Sequence, residues 1–150
     1  MTVNLLLDTD VYIDYVGRRE PFFEDARRIV VAGYLGDVRL WVPTFSLQEA
    51  FRVLRRHADP VRIQRAMAKT SEALTPVGLS AGEAVRAARL EWDDYEKCLV
   101  SLCAGKAKAD YLVTRDPAAF ARSLIPVATP GEWLRTAERD LGLARDPMEP

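Results

Sequence analysis

The sequence has no glycine-rich phosphate loop. Neither G-x-G-x-x-G nor G-K-[ST] occurs, and Gly105-Lys106-Ala107 lacks the rest of such a motif. A dinucleotide-binding or P-loop reading is therefore poor. There is a single histidine, His57, placed at a predicted helix end before Asp59-Pro60. That position suits a C-terminal helix cation rather than a general base, which sets aside a histidine-dependent hydrolase. Cysteine is nearly as scarce. Cys98 and Cys103 fall in one predicted helix, at a spacing that suits neither a disulfide nor a C-x-x-C site, and read as reduced, semi-buried thiols. No apolar run approaches the ~18 residues of a membrane helix, and the first residues lack a signal-peptide layout. A cytoplasmic protein with no membrane role is expected. Charge of one sign is not in excess either. The formal net charge is -1, so any attraction for nucleic acid must be local.

What is present is ordinary globular composition, 49% hydrophobic over 150 residues, enough for one domain with a core of its own. We expect that domain over residues 1–143, with 144–150 as a frayed tail. Val3-Leu7 is a continuous apolar run too short for a helix, and suits a strand buried on both faces. Further strands are expected at Val38–Val42, Pro76-Val77, Tyr111–Thr114 and Ile125–Ala128. Helical spacing covers Val11–Val16, Pro21–Gly36, Ser46–His57, Val61–Ala73 and Ser80–Leu90. Two more helices are expected, from Asp93 or Asp94 to Ala104 and from Gly131 to Leu141. Apolar strands alternating with amphipathic helices predict a mostly parallel α/β sheet covered on both faces. In such sheets ligands gather outside the carboxyl ends of the strands.

Two of those ends deliver acids. "VNLLLDTD" places Asp8 after the first strand, and "YLVTRDP" places Asp116 after the Tyr111–Thr114 strand. Gathered carboxylates repel, and a hard divalent cation resolves the repulsion while leaving positions for water and phosphate. Each acid also has a plainer use. Asp8, Asp10 and Asp116 are good helix caps, and Ser46-Leu-Gln-Glu49 has the S-x-x-E form of a capping box.

Four blocks in order, "LLLDTDVYIDY", "VPTFSLQEAFRVLRR", "DYEKCLVSLCAGKAKADYLVTRDPAAF" and "IPVATPGEWL", resemble a PIN domain of the VapC-toxin kind, from about Val3 to Leu134. The resemblance implies a three-layer α/β/α fold and a Mg²⁺- or Mn²⁺-dependent endoribonuclease. It also implies a cognate antitoxin and a homodimer. It would make Asp8, Glu49 and Asp116 metal-binding and catalytic acids; we take Asp94 as the fourth. Asp10, Asp93 and Glu96 would be accessory acids, and Asp10 stands where such proteins usually carry asparagine. Thr114 matches a small hydroxyl residue just before the last acid, and Arg115 falls at the expected rim of the pocket.

One departure bears on the chemistry. Proteins of this kind carry an aspartate in the helix before the last acidic strand, and here the aligned residue in Asp94-Tyr-Glu-Lys-Cys-Leu99 is Lys97. At ~4 Å and an effective dielectric of 20, one unit pair contributes about 4 kcal/mol. Exchanging attraction for repulsion should therefore weaken metal binding by several powers of ten. Three arrangements follow. Asp93 or Asp94 replaces the lost ligand from the same helix face; Lys97 neutralises the acids as a built-in counter-ion; or Lys97 contacts an RNA phosphate. The second describes a degenerate PIN domain that binds RNA or an antitoxin-like partner without efficient cleavage. Beside the site, Arg52, Arg55, Arg56, Arg62, Arg65 and Lys69 face a single acid, Asp59, and form a basic segment suited to an RNA backbone.

Overall fold

The computed structural model describes residues 2–142; the expected tail at 144–150 lies outside them. Five strands form one sheet: β1 (Val3–Leu7), β2 (Val38–Pro43), β3 (Leu74–Val77), β4 (Tyr111–Val113) and β5 (Val127–Ala128). All neighbours are parallel, in the order β3-β2-β1-β4-β5. Among the described residues seven α-helices connect and flank them: α1 (Thr9–Val16), α2 (Phe23–Tyr34), α3 (Thr44–Leu54), α4 (Pro60–Thr70), α5 (Ala81–Arg89), α6 (Tyr95–Lys106) and α7 (Pro130–Thr136).

The unbroken apolar run of β1 explains the layering. Leu5 and Leu7 point into a core with Ile29, Val30 and Ala50, the buried residues of α2 and α3. Leu6 points the other way, against Val100, Cys103, Leu112 and Phe120. A strand covered by helices on both faces must be apolar at every position, which is why no alternation appears. Both cysteines are free and buried, and burial pushes the Cys103 thiol up to about 12.

Several local details depart from expectation for identifiable reasons. Ser46 does not open α3, because the helix already begins at Thr44 behind Pro43, with no side-chain cap. The Ser46 hydroxyl instead meets the Thr9 hydroxyl at 2.7 Å in the buried α1–α3 contact. The capping-box reading of Glu49 is therefore corrected. Asp116, expected as a helix cap, precedes a 3-10 turn over Pro117–Phe120, yet its side chain makes no capping bond. The last helix begins at Pro130, under a Thr129–Glu132 capping box, and passes into a π-helical turn over Ala137–Leu141. The Ser80–Glu83 capping box is present. Glu83 also receives the Lys106 ammonium, and these bonds bring its carboxyl down to about 2. No helix among the described residues is long and apolar enough to cross a membrane.

Candidate functional site

Strand order locates the site. From β1 the chain winds outward through β2 and β3, then returns across the sheet to β4 on the other side of β1. The carboxyl ends of β1 and β4 therefore flank a topological switch point, where parallel α/β sheets collect ligands. Register brings Leu7 beside Val113, and the Asp8 N–H donates to the Val113 carbonyl at 2.9 Å. Asp8 and Thr114 are thus neighbours by sheet geometry. The helix α6 precedes β4, so its first turn lies at this same edge.

Asp8 is fully buried, at 0% exposure, and both its oxygens are used. Oδ1 accepts the Thr9 backbone N–H at 2.8 Å. Oδ2 accepts the Thr114 hydroxyl at 2.7 Å and the Lys97 ammonium at 2.8 Å. Thr114 Oγ1 in turn accepts the Asp116 backbone N–H at 3.0 Å, wiring the Asp116 main chain to Asp8 through one side chain. The Asp116 residue itself is exposed. The Lys97 side chain is 12% exposed, and its ammonium lies 5.4 Å from the centre of the Phe120 ring. Burial opposes its charge, but Asp8, then Asp10 and Glu96, outweigh that cost and hold the ammonium above the ordinary lysine value.

The other acids are placed around this pair rather than upon it. Glu49 is half-buried on α3 and ion-paired with Arg52 one turn later; that bond holds its carboxyl below the usual range. Asp94 is the N-cap of α6, accepting the Lys97 backbone N–H at 3.2 Å, so its carboxylate serves its own helix. Asp93 is exposed. Glu96 has a largely exposed residue surface, yet its carboxyl is raised, first by partial burial and then by Asp8, Glu49 and Asp94, against Lys97. Asp8, Glu49, Glu96 and Lys97 therefore share one electrostatic environment.

This donor set does not fit a divalent cation. The innermost carboxylate has given Oδ2 to an ammonium, and Glu49 is matched by a guanidinium. Among the described residues no three His, Cys, Asp or Glu side chains are grouped so as to hold a metal ion.

One component had not been expected. Asp14, on α1, is 1% exposed and lies between two arginines. Arg19 Nε donates to its Oδ1 at 2.9 Å, and Arg115 Nε stands 2.8 Å from its Oδ2 at an angle that falls short of a hydrogen bond. The Arg115 guanidinium also lies over Phe22, 4.0 Å from the ring centre. Arg115 is thus engaged with Asp14 and Phe22. Its signal was an acid inside the apolar face of "VYIDYV", which needs a cation as partner. The basic segment is exposed along α3 and α4. Among the described residues Arg55, Arg56, Arg62 and Arg65 have no ion-pair partner, whereas Arg52 has Glu49.

Comparison with known proteins agrees with this architecture. The profile of the PIN domain matches residues 4–118. The fold is similar to a chain of VapBC2 from Rickettsia felis, solved with a promoter DNA fragment, at 13% identity and a TM-score of 0.60, covering 85% of this chain and 98% of that one. A chain of a Klebsiella pneumoniae toxin–antitoxin complex is similar at 21% identity and a TM-score of 0.61, with coverages of 84% and 97%. A chain of FitAB bound to the IR36 DNA fragment gives 13% and 0.60, with coverages of 84% and 94%. A search of curated proteins finds no match. PIN domains are generally nucleases and typically use a divalent metal. A parallel five-stranded sheet, a buried aspartate at its switch point and a profile spanning most of the chain lead to one assignment: the chain belongs to the PIN-domain family.

Proposed function

We propose that this chain is a toxin–antitoxin-type PIN domain that engages RNA and a cognate antitoxin, and binds RNA far better than it hydrolyses it. The observation that carries this reading is the Lys97–Asp8 ion pair at 2.8 Å. It satisfies the buried carboxylate from within the chain, so the acid is not open to a metal or to an attacking water. The antitoxin is supported by the fold's likeness to chains of toxin–antitoxin complexes. A homodimer in the cytoplasm belongs to the same proposal. For RNA the support is the exposed arginine face of α3 and α4. Arg55, Arg56, Arg62 and Arg65, exposed and without an ion-pair partner among the described residues, can release counter-ions from a phosphate backbone.

The work of the chain's residues is then positional. Thr114 and Lys97 hold Asp8; Glu49 and Arg52 form a paired gate beside them; Arg55, Arg56, Arg62 and Arg65 attract the backbone. Reversing three of these charges, as Arg55→Glu, Arg56→Glu and Arg62→Glu together, is expected to weaken binding of labelled single-stranded RNA at least ~10-fold. It should also flatten the salt dependence of log K by about 2. Fluorescence anisotropy across a salt series checks this. Unchanged affinity and slope would remove the basic face from the account.

A second reading keeps metal-dependent endoribonuclease activity, with Mg²⁺ or Mn²⁺ held by Asp8, Glu49, Asp94 and Asp116. It is favoured by the shared field of Asp8, Glu49 and Asp94 at Glu96. Incubating single-stranded and structured RNA with Mn²⁺ decides between the two. Equal and slight cleavage by wild type and Asp8→Asn supports the first reading. Strong cleavage that is lost in Asp8→Asn establishes the second.

A further inference from the structure

We propose that Lys97 is the resident cation of this centre, a covalently attached ammonium that completes the acid pocket and makes the folded protein independent of divalent metal. This rests on the reading above that the switch-point pocket is the functional centre.

The seat is built, not incidental. Lys97 is the third residue of α6, after Tyr95 and Glu96, with Asp94 as N-cap. A first-turn position disfavours cations, because the helix dipole presents its positive end there. A lysine placed against that preference requires a stronger local attraction. The structure supplies three contacts for it. The Asp8 carboxylate accepts at 2.8 Å, and the Phe120 ring face lies 5.4 Å away. The Asp94 side chain, bonded to the Lys97 backbone N–H, fixes the start of the helix and hence the direction of the side chain. An ammonium over an aromatic face gains cation–π attraction that grows as water is excluded, and this side chain is mostly withdrawn from water. Thr114, on the same oxygen as Lys97, leaves Asp8 Oδ2 with two donors and no outward direction for a metal bond.

The consequence differs from simple loss of a ligand. An empty acidic pocket would bind a divalent ion weakly; one filled by its own cation resists the ion and remains stable without it. Manganese titrations test this, with calorimetry and Mn²⁺ electron paramagnetic resonance on the full chain. The wild type is expected to bind Mn²⁺ no tighter than ~1 mM. Lys97→Asp should gain at least ~100-fold, because repulsion at the pocket becomes attraction. Adding Asp8→Asn to that variant should abolish the gain. If Lys97→Asp does not fold, Lys97→Met serves, since it opens Asp8 without adding an acid, with ~10-fold tighter binding expected. A wild-type Mn²⁺ site that depends on Asp8 overturns the proposal, and so does the absence of any gain in a folded Lys97 variant. RNA binding is scored separately. Its failure in wild type would remove the functional reading and leave the metal result standing, whereas an Asp8-dependent wild-type Mn²⁺ site would overturn this proposal and, with it, the claim that Asp8 is closed to a metal, while leaving RNA binding intact.

Discussion

Replacing Lys97 with methionine is expected to cost about 3–5 kcal/mol of folding stability at pH 7, measured by urea denaturation. Methionine preserves the length and apolar stem, so packing against Phe120 is largely kept. What is lost is the partner of a carboxylate with 0% exposure, and an uncompensated buried charge is among the costliest defects a core can carry. The pH dependence follows from the direction of the lysine's shift. Its folded value is raised, so its stabilisation is complete below the unfolded lysine value of about 10.4. That stabilisation is lost as pH rises through the higher folded value. The wild type should therefore lose this contribution only in strongly alkaline solution. The methionine variant should lack the alkaline loss. A variant as stable as wild type at pH 7 would mean that the ion pair carries little energy.

The second large effect is expected at Asp14. Removing both of its cations, as Arg19→Ala with Arg115→Ala, should destabilise the fold by about 3 kcal/mol at pH 7. Burial first, with a contribution from Asp10, pushes the Asp14 carboxyl up against the opposing pull of Arg115 and Arg19. For an acid whose folded value is raised, the folded state binds the proton more readily than the unfolded state. Its contribution to stability is therefore greatest in acid and declines as pH rises through that window. Without the arginines the decline should steepen, so the deficit at pH 7 should exceed that at pH 4. Adding Asp14→Leu to the double variant should restore much of the loss, because a buried ion is exchanged for an apolar group of similar volume. No restoration would show that the arginines act chiefly through packing, with Arg115 on Phe22 the leading contact.

Much of this was legible in the residues. The strands β1, β2 and β4 announced themselves as short apolar runs, and Asp8 at the end of β1 was placed on the correct edge by the rule for parallel sheets. The Ser80–Glu83 box was readable because capping is local, a side chain and a backbone N–H three residues on; the start of α6 was left between Asp93 and Asp94, and Asp94 is the cap. The partner of Lys97 was harder. The substitution could be seen and its three outcomes set out, but choosing among them depended on the first turn of α6 facing β1, a contact between residues 89 apart. Glu49 shows the opposite error. Its capping-box pattern was locally persuasive, yet Pro43 moved the helix start two residues earlier, and Ser46 was drawn to Thr9 instead. Asp14 was overlooked because a single acid in an apolar helix face gives no indication of which arginines will meet it, and only Arg19 is near it in sequence. Arg115 comes from sequence 101 residues away.

The central claim, that the ammonium of Lys97 is fastened to Asp8, is tested most directly by ¹⁵N-detected spectra of the lysine side chains. With lysines only at 69, 97, 106 and 108, assignment is straightforward. A sharp, slowly exchanging Lys97 ammonium signal at neutral pH is the predicted result, present in wild type and lost in Asp8→Asn, with the other lysines unaffected. A Lys97 signal that exchanges as rapidly as that of an exposed lysine, or that survives Asp8→Asn unchanged, would contradict the account.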